Sequence, residues 1–362
     1  MQDVSSDRAP NPGGEALPIE PLASYLFNVL PEMHNEFDGE IAVTRLGHGY
    51  SNLTFLVRVG ERELVLRRPP VGVEIASAHD MGREVKVLVG LRRVYAQVPR
   101  VLLYCDDSSI IGAPFYLMEP LQGVVLHSDD PQRPEIAPEV MARLADNAID
   151  NLAVIHALDV EAAELADLGR PAGYVTRQVQ GWTKRYHAAR TEPVPKLERA
   201  LQWLAEHQPT ESGACIIHND YKYDNLMVAG DDLTRLVAVL DWEMCTLGDP
   251  LLDLGTSLGY WMEAGDPPPL VEMFGLTALP GNPNRVEVME RYMVASGRGE
   301  FDPLFYYVYG LCKIGVILQQ IYYRYLQGKS QDERFARLGG AVEACGLMAV
   351  EAIEKRRISG LF

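Results

Sequence analysis

The sequence has no C-x-x-C pair, no uninterrupted apolar run of about 18 residues and no excess of basic charge. Each absence removes a class of protein. The five cysteines, Cys105, Cys215, Cys245, Cys312 and Cys345, are scattered along the chain, so neither a zinc ribbon nor a small disulfide framework is expected. That pattern suits a reducing, cytoplasmic setting. The opening stretch MQDVSSDRAPNPGGEALP lacks a basic region followed by an apolar core, so no signal peptide and no membrane association are expected. With 50 acidic against 33 basic side chains, the formal net charge of -17 opposes an extended polyanion, and no nucleic acid is expected as a partner. A single nucleotide is not excluded, because local cations, backbone N–H groups and Mg²⁺ act within a screening length of about 8–10 Å.

What is present divides the chain into three stretches. Residues 1–17 are polar and rich in Pro and Gly, the composition of a disordered tail. Residues 18–119 begin with helical spacing through Leu22, Tyr25, Leu26 and Val29, then turn to β-branched alternation over 41–46, 53–59 and 62–67. Gly60-Glu61 reads as the hairpin turn between the last two. A helix over 81–91 and strands over 100–104 and 114–118 complete a five-stranded antiparallel sheet with one helix. Residues 120–362 are mostly helical, with helices expected over 138–157, 174–190, 194–207, 304–326 and 334–354. Short strands are expected near 215–218, 226–228 and 236–240, and 265–284, with Pro267-Pro268-Pro269, reads as a loop. The fold class is therefore α+β, with a small sheet lobe followed by a larger helical lobe.

The chemistry concentrates in His218-Asn219-Asp220-Tyr221-Lys222-Tyr223-Asp224-Asn225, which meets the H-x-D-x-x-x-x-N pattern of a phosphoryl-transfer loop at every fixed position. Such a reaction needs a carboxylate beside the attacking hydroxyl and, a few residues on, an amide oxygen able to hold a metal that bridges phosphates. Asp220 and Asn225 fit these two roles. Lys222 can place a cation on phosphoryl oxygens where charge develops, and His218 fits a loop-fixing hydrogen bond better than proton transfer. A plain polar turn would also favour Asn and Asp. However, the buried-strand run Leu236-Val237-Ala238-Val239-Leu240 delivers Asp241 at its end, where a second metal ligand belongs. Asp249 and Asp253 straddle Pro250 after Gly248, an arrangement suited to starting a helix.

The stretch from His218 to Asn225, followed by Val239 to Glu243 and Gly248 to Leu254, resembles the aminoglycoside phosphotransferase and choline kinase superfamily, whose fold is protein-kinase-like and bilobal. The resemblance covers roughly residues 25 to 350. It implies Mg-ATP as phosphoryl donor, with backbone near Gly49, Tyr50, Ser51 and Asn52 covering the phosphates. It implies that Arg67 stands where a Lys is usual, paired with Glu84, and Arg is no neutral replacement for Lys. It also implies that Met118 lies behind the adenine while backbone at Glu119 and Leu121 meets its edge. Asn225 and Asp241 are the implied Mg²⁺ ligands.

The acceptor is expected to be a hydroxyl of a small molecule. Within the superfamily, Val65 to Pro70, Ser77 to Asp80 and Tyr174-Val175-x-Arg177-Gln178 resemble the branch fused to some acyl-CoA dehydrogenases, which implies a hydroxyacyl-CoA. Arg177, Trp182, Lys184 and Arg185 offer partners to an anionic carrier, and Tyr306, Tyr307, Tyr309, Tyr322, Tyr323 and Tyr325 offer a cleft wall, but a charge cluster on a helix is more often a solvated face and Tyr-rich helices are more often core. The alternatives are an aminoglycoside or amino-alcohol kinase, or a nucleotide-binding pseudokinase. A protein substrate is not expected, because only a short segment separates Asp241 from Gly248-Asp249-Pro250.

Overall fold

The computed structural model describes residues 16–30, 41–46, 52–70, 80–128, 130, 133, 135–330 and 332–362. The chain forms two compact units, Met1–Arg92 with Pro99–Leu121, and Arg93–Val98 with Gln122–Phe362.

The first unit begins with helix α1 (Ile19–Val29) and continues through β1 (Ile41–Leu46), β2 (Leu53–Val59), β3 (Arg62–Arg68), α2 (Met81–Leu91), β4 (Val101–Cys105) and β5 (Phe115–Met118). The strands form one antiparallel sheet in the order β1-β2-β3-β5-β4. Gly60, with φ of 58°, makes the turn between β2 and β3, a conformation that costs glycine nothing. Because strand side chains alternate faces, Phe55, Val57 and Val59 on β2 and Leu64 and Leu66 on β3 enter one core with Leu22 and Leu26 of α1. Arg67 is out of step with Leu64 and Leu66, which frees it for Glu84 on α2.

The second unit contains β6 (Val124–Val125), α3 (Pro138–His156), α4 (Tyr174–Ala189), α5 (Pro195–Glu206), β7 (Cys215–Ile217), β8 (Leu226–Val228), β9 (Leu236–Val239) and β10 (Thr246–Gly248). Five helices follow: α6 (Pro250–Tyr260), α7 (Pro268–Phe274), α8 (Arg285–Ser296), α9 (Leu304–Leu326) and α10 (Leu338–Lys355). Two small sheets, β10-β7 and β6-β8-β9, bracket the residues that carry the motif. Gly255 and Gly310 let α6 and α9 touch backbone to backbone. A Cβ on Gly255 would lie 2.2 Å from the Tyr306 carbonyl oxygen, and one on Gly310 would lie 2.0 Å from the Gly255 carbonyl oxygen.

Several elements depart from the expectation drawn from sequence. The stretch 265–284 is not all loop, since prolines at the start of α7 fill positions whose N–H groups have no helical partner. Helix α8 starts at a capping box in which Asn284 accepts from the Glu287 backbone and Glu287 reaches back. The last expected helix is broken into a 3-10 turn over Glu333–Arg337 and α10. Residues 93–98 leave the first unit, held in the second by Val239 N donating to Gln97 O at 2.9 Å and Tyr95 Oη donating to Asn151 Oδ1 at 2.8 Å. Helix α9 is long and apolar enough to cross a membrane by length and composition, which the count of uninterrupted apolar residues did not register. In the fold, 83% of its apolar window is buried.

Candidate active site

Strand β7 ends at Ile217, and the chain then turns sharply through Asn219, whose φ of 69° lies in the left-handed region that Asn tolerates. The turn is held by Asp253, the fully buried carboxylate in the first turn of α6. It accepts from His218 N at 2.8 Å, from Asn219 N at 2.7 Å and from His156 Nε2 at 3.1 Å. Burial works against its ionisation, but the hydrogen bond and charge of His156, with His218 and Lys313 nearby, hold its pKa below the usual carboxylate value. Asp249 caps the same helix, accepting from Leu251 N at 2.8 Å and from the Ser212 backbone and hydroxyl at 2.6 and 2.7 Å. Both aspartates thus organise the helix start and the motif loop.

His218 has no nitrogen to spare. Its Nε2 donates to the Leu240 carbonyl at 2.9 Å, and its Nδ1 accepts from Asp220 N at 3.2 Å. These partners require the neutral imidazole protonated at Nε2, and burial lowers its pKa in agreement. A ring bonded at both edges holds the loop, and neither nitrogen is left to exchange a proton with a substrate.

Asp220 is the convergence point. Its Oδ2 accepts from Lys222 Nζ at 2.9 Å and from Asn225 Nδ2 at 2.9 Å, and its backbone carbonyl accepts from Asn225 Nδ2 at 2.7 Å. Burial raises the cost of its charge, yet Lys222 and the Tyr260 hydroxyl hold its pKa below the usual value. Asp220 is thus a carboxylate at neutral pH. Lys222 also lies 4.6 Å from the centre of the Tyr260 ring. Burial would lower its pKa, but the Asp220 charge more than reverses that.

Asn225 and Asp241 are 16 positions apart in sequence, and the β8–β9 ladder brings them together. Leu226 pairs with Val239, and Leu240 N donates to Asn225 O at 2.8 Å, so Asp241 follows directly on the residue bonded to Asn225. Asp241 has φ of 63°, a second left-handed residue that turns the chain out of the strand. With the Asn225 nitrogen engaged twice by Asp220, the oxygen is the part of that amide left to a ligand. An amide oxygen and a carboxylate are hard donors that suit a Mg²⁺ completed by water and phosphate oxygens. The donor set therefore fits that ion.

In the first unit, Arg67 Nε lies 3.2 Å from Glu84 Oε1, and Arg67 Nη1 donates to Thr54 Oγ1 at 3.4 Å. Glu84 is buried on α2, and Asp80 caps that helix by accepting from Arg83 N. Asn52 is buried at the start of β2. Gly49, Tyr50 and Ser51 lie outside the described residues. Met118 pairs with both Val65 and Val101 at the end of β5. The Glu119 N–H is taken by the Arg100 carbonyl at 3.0 Å, which leaves Glu119 its carbonyl for a ligand. Leu121 is the last residue of the unit.

The side chains weighed for an acceptor wall differ in where they sit. Tyr306, Tyr307 and Tyr309 are buried on α9, where apolar packing claims their rings. Arg177 folds back onto the carbonyls of Arg170 and Ala172, Arg185 stacks 4.6 Å from the ring centre of the buried Trp182, and Lys184 is exposed. A small pocket lies within the second unit, between α3, α6 and the motif loop. Its wall is mostly apolar, with Ile149, Leu152, Leu254, Phe274, Leu276 and Val288, joined by Lys222 and Asp224 of the loop and by Tyr260 at the end of α6. Residues that sequence reasoning missed include Tyr260, His156 and Lys313. Lys313 did leave a signal, being a single cation inside an otherwise apolar helical stretch.

A profile of the phosphotransferase enzyme family matches residues 42–287. Acyl-CoA dehydrogenase family member 10 of Mus musculus is 34% identical over 339 residues, covering 92% of this chain and 31% of that protein. The chain thus spans about a third of the length of that relative. A crystal structure assigned to the aminoglycoside phosphotransferases, from Ralstonia eutropha JMP134, is 30% identical with a TM-score of 0.76, covering 94% of this chain and 99% of the other. A thermostable aminoglycoside phosphotransferase mutant in ternary complex with AMP-PNP and hygromycin B shares the fold, with a TM-score of 0.56, 17% identity, and coverage of 90% of this chain and 97% of the other. With the family profile matching over half of its residues and close relatives matching nearly all of them, the chain belongs to the phosphotransferase enzyme family.

Proposed function

We propose that this protein transfers the γ-phosphoryl group of Mg-ATP to a hydroxyl of a small molecule, with a hydroxyacyl-CoA thioester as the acceptor class. The observation that carries the reading is the ionised Asp220, clamped by Lys222 and Asn225, on a loop whose Asn225 is laddered to the residue before Asp241. Asp220 accepts the proton of the acceptor hydroxyl as its oxygen bonds to the γ-phosphorus and the bond to the ADP oxygen breaks. In a loose transition state the proton moves late, so a carboxylate of low pKa serves for orientation and final acceptance. Lys222 keeps Asp220 charged and supplies a cation on the same loop for the phosphoryl oxygens. Asn225 and Asp241 hold Mg²⁺, which when bound neutralises charge on the phosphates. Arg67, oriented by Glu84, binds nucleotide phosphates together with Gly49, Tyr50, Ser51 and Asn52, while Met118, Glu119 and Leu121 receive the adenine.

The pocket beside Lys222 and Tyr260 is lined mostly by apolar side chains with a single carboxylate, Asp224, which suits an acyl chain better than a polycationic aminoglycoside that needs several carboxylates to replace its hydration. The acyl-CoA dehydrogenase name of the mouse relative agrees with thioester chemistry. Five free, buried cysteines agree with a reducing cytoplasm.

The test is incubation of the full chain with Mg-ATP and a panel of hydroxyacyl-CoA thioesters, amino alcohols and aminoglycosides. Phosphorus NMR and mass spectrometry would follow the products. A phosphorylated hydroxyacyl thioester is expected. Transfer confined to aminoglycosides or amino alcohols would replace the acceptor assignment, and nucleotide binding with no transfer to any hydroxyl would identify a pseudokinase.

A further inference from the structure

Helix α9 carries one lysine at its buried centre, and the phosphoryl-transfer roles assigned above leave it unused. Lys313 is 1% exposed, and its ammonium donates to the Asn219 carbonyl at 2.5 Å. It also lies 3.2 Å from Asn219 Oδ1, 3.5 Å from Thr256 Oγ1 and 5.9 Å from the centre of the Trp182 ring. Every hydrogen-bond partner is neutral. Burying an ammonium among neutral groups is costly, and a neutral donor would tie two elements together at less expense.

The location gives that cost a purpose. The Asn219 carbonyl and the Asp220 N–H are the two edges of one peptide plane. Lys313 holds the oxygen edge, and His218 Nδ1 holds the N–H edge at 3.2 Å. Asn219 is left-handed, a conformation that costs an L residue free energy, so outside contacts must hold the plane from which the Asp220 side chain meets Lys222 and Asn225. The reach of Lys313 depends on the backbone contact of Gly255 with Gly310, one turn earlier on α9, which sets α9 against α6.

We propose that Lys313 is a positioning residue, which locks the Asn219–Asp220 peptide plane from α9 and so fixes where the Asp220 carboxylate points. This rests on the reading of Asp220 as the carboxylate that receives the acceptor proton. The charged and titratable groups facing Lys313 are Asp253 on α6, Asp220 and Lys222 on the loop, and Arg185 on α4. Burial lowers the Lys313 pKa, Asp253 and Asp220 oppose the shift, and the result is about 8. The lock is therefore charged at neutral pH and loosens in mild alkali.

The experiment combines hydrogen exchange with Mg-ATP hydrolysis, water serving as acceptor, on the full chain and on Lys313→Met. The variant is expected to speed exchange of the loop amides by about tenfold or more while α9, α10 and the melting temperature keep their wild-type values. Its kcat for hydrolysis should fall by about tenfold with KM for Mg-ATP within about threefold. The wild-type rate should fall in alkali around a pKa of about 8, and the variant should lack that limb. Unchanged loop exchange, protection lost evenly through the second unit, or an alkaline limb that survives in Lys313→Met would each overturn the proposal. Should Lys313→Met not fold, wild-type exchange corrected for intrinsic rates decides. Loop protection must drop relative to α9 as the pH passes about 8, and a constant ratio overturns the assignment. If the wild type neither binds nor hydrolyses Mg-ATP, the kinase reading fails, while loop exchange still judges Lys313.

Discussion

Lys222 and Lys313 both end on the loop from His218 to Asn225, and their surroundings push them in opposite directions. Lys222 meets the Asp220 carboxylate two residues before it, and that charge outweighs burial and keeps its pKa high. Lys313 comes from a helix 94 positions beyond Asn219, meets neutral oxygens, and is brought down to about 8. The contrast teaches that a buried cation keeps its proton best through a formal opposite charge at contact distance, whereas carboxylates not in contact, here Asp253 and Asp220, offset burial only in part. The first lysine sets the charge of the carboxylate; the second sets its direction.

The largest effect should come from the group that supports both. Asp253 anchors the loop backbone and is the leading charge opposing the loss of the Lys313 proton, so Asp253→Ala should cost about 3–5 kcal/mol of unfolding free energy, as removal of one buried partner does. A chemical denaturation midpoint equal to wild type would break the comparison at its root.

Next, Asp220→Asn should leave nucleotide affinity largely intact and slow single-turnover transfer by about a hundredfold or more. It should also lower the pKa of Lys222, so that the two lysines come to resemble one another. Turnover at the wild-type rate would remove Asp220 from the chemistry. Asp241→Ala should weaken Mg-nucleotide binding by about tenfold or more in calorimetric titration, with little change for nucleotide without metal. Equal affinities would take Asp241 out of the metal set.

The smallest effect tests the hydrogen-bonded ring. His218 is neutral in the fold because burial lowers its pKa, whereas an unfolded histidine takes up a proton near about pH 6.5. Below that value the unfolded chain binds more protons, so stability is lost as pH falls through about 6.5 toward the lower folded pKa. His218→Gln should be less stable at neutral pH and flatter in melting temperature between about pH 6.5 and 5. An unchanged slope would mean that the ring does not titrate as its bonds require.

Some of this was legible without a structure because the interactions are short in sequence. Asp220, Lys222 and Asn225 lie on one turn, so their spacing alone predicts that they meet. The alternation of β2 and β3 and the hairpin at Gly60 are equally local. The helix α7 was missed because prolines were read as breakers, although at a helix start they cost nothing. The tyrosines of α9 could be read as core or as a cleft wall because aromatic content does not say which way a helix faces, and the fold buries Tyr306, Tyr307 and Tyr309.

By itself the sequence determined the elements and the local chemistry: a strand, a turn bearing Asp220, Lys222 and Asn225, and a second strand delivering Asp241. Backbone propensity and hydrogen bonds over a few residues suffice for those. Tertiary structure alone decided that α6 and α9 approach at Gly255 and Gly310, that Asp253 takes the loop N–H groups, and that Lys313 reaches the Asn219 carbonyl. Those contacts join residues tens of positions apart. Their partners are chosen by how helices pack around a buried core, which no spacing along the chain encodes.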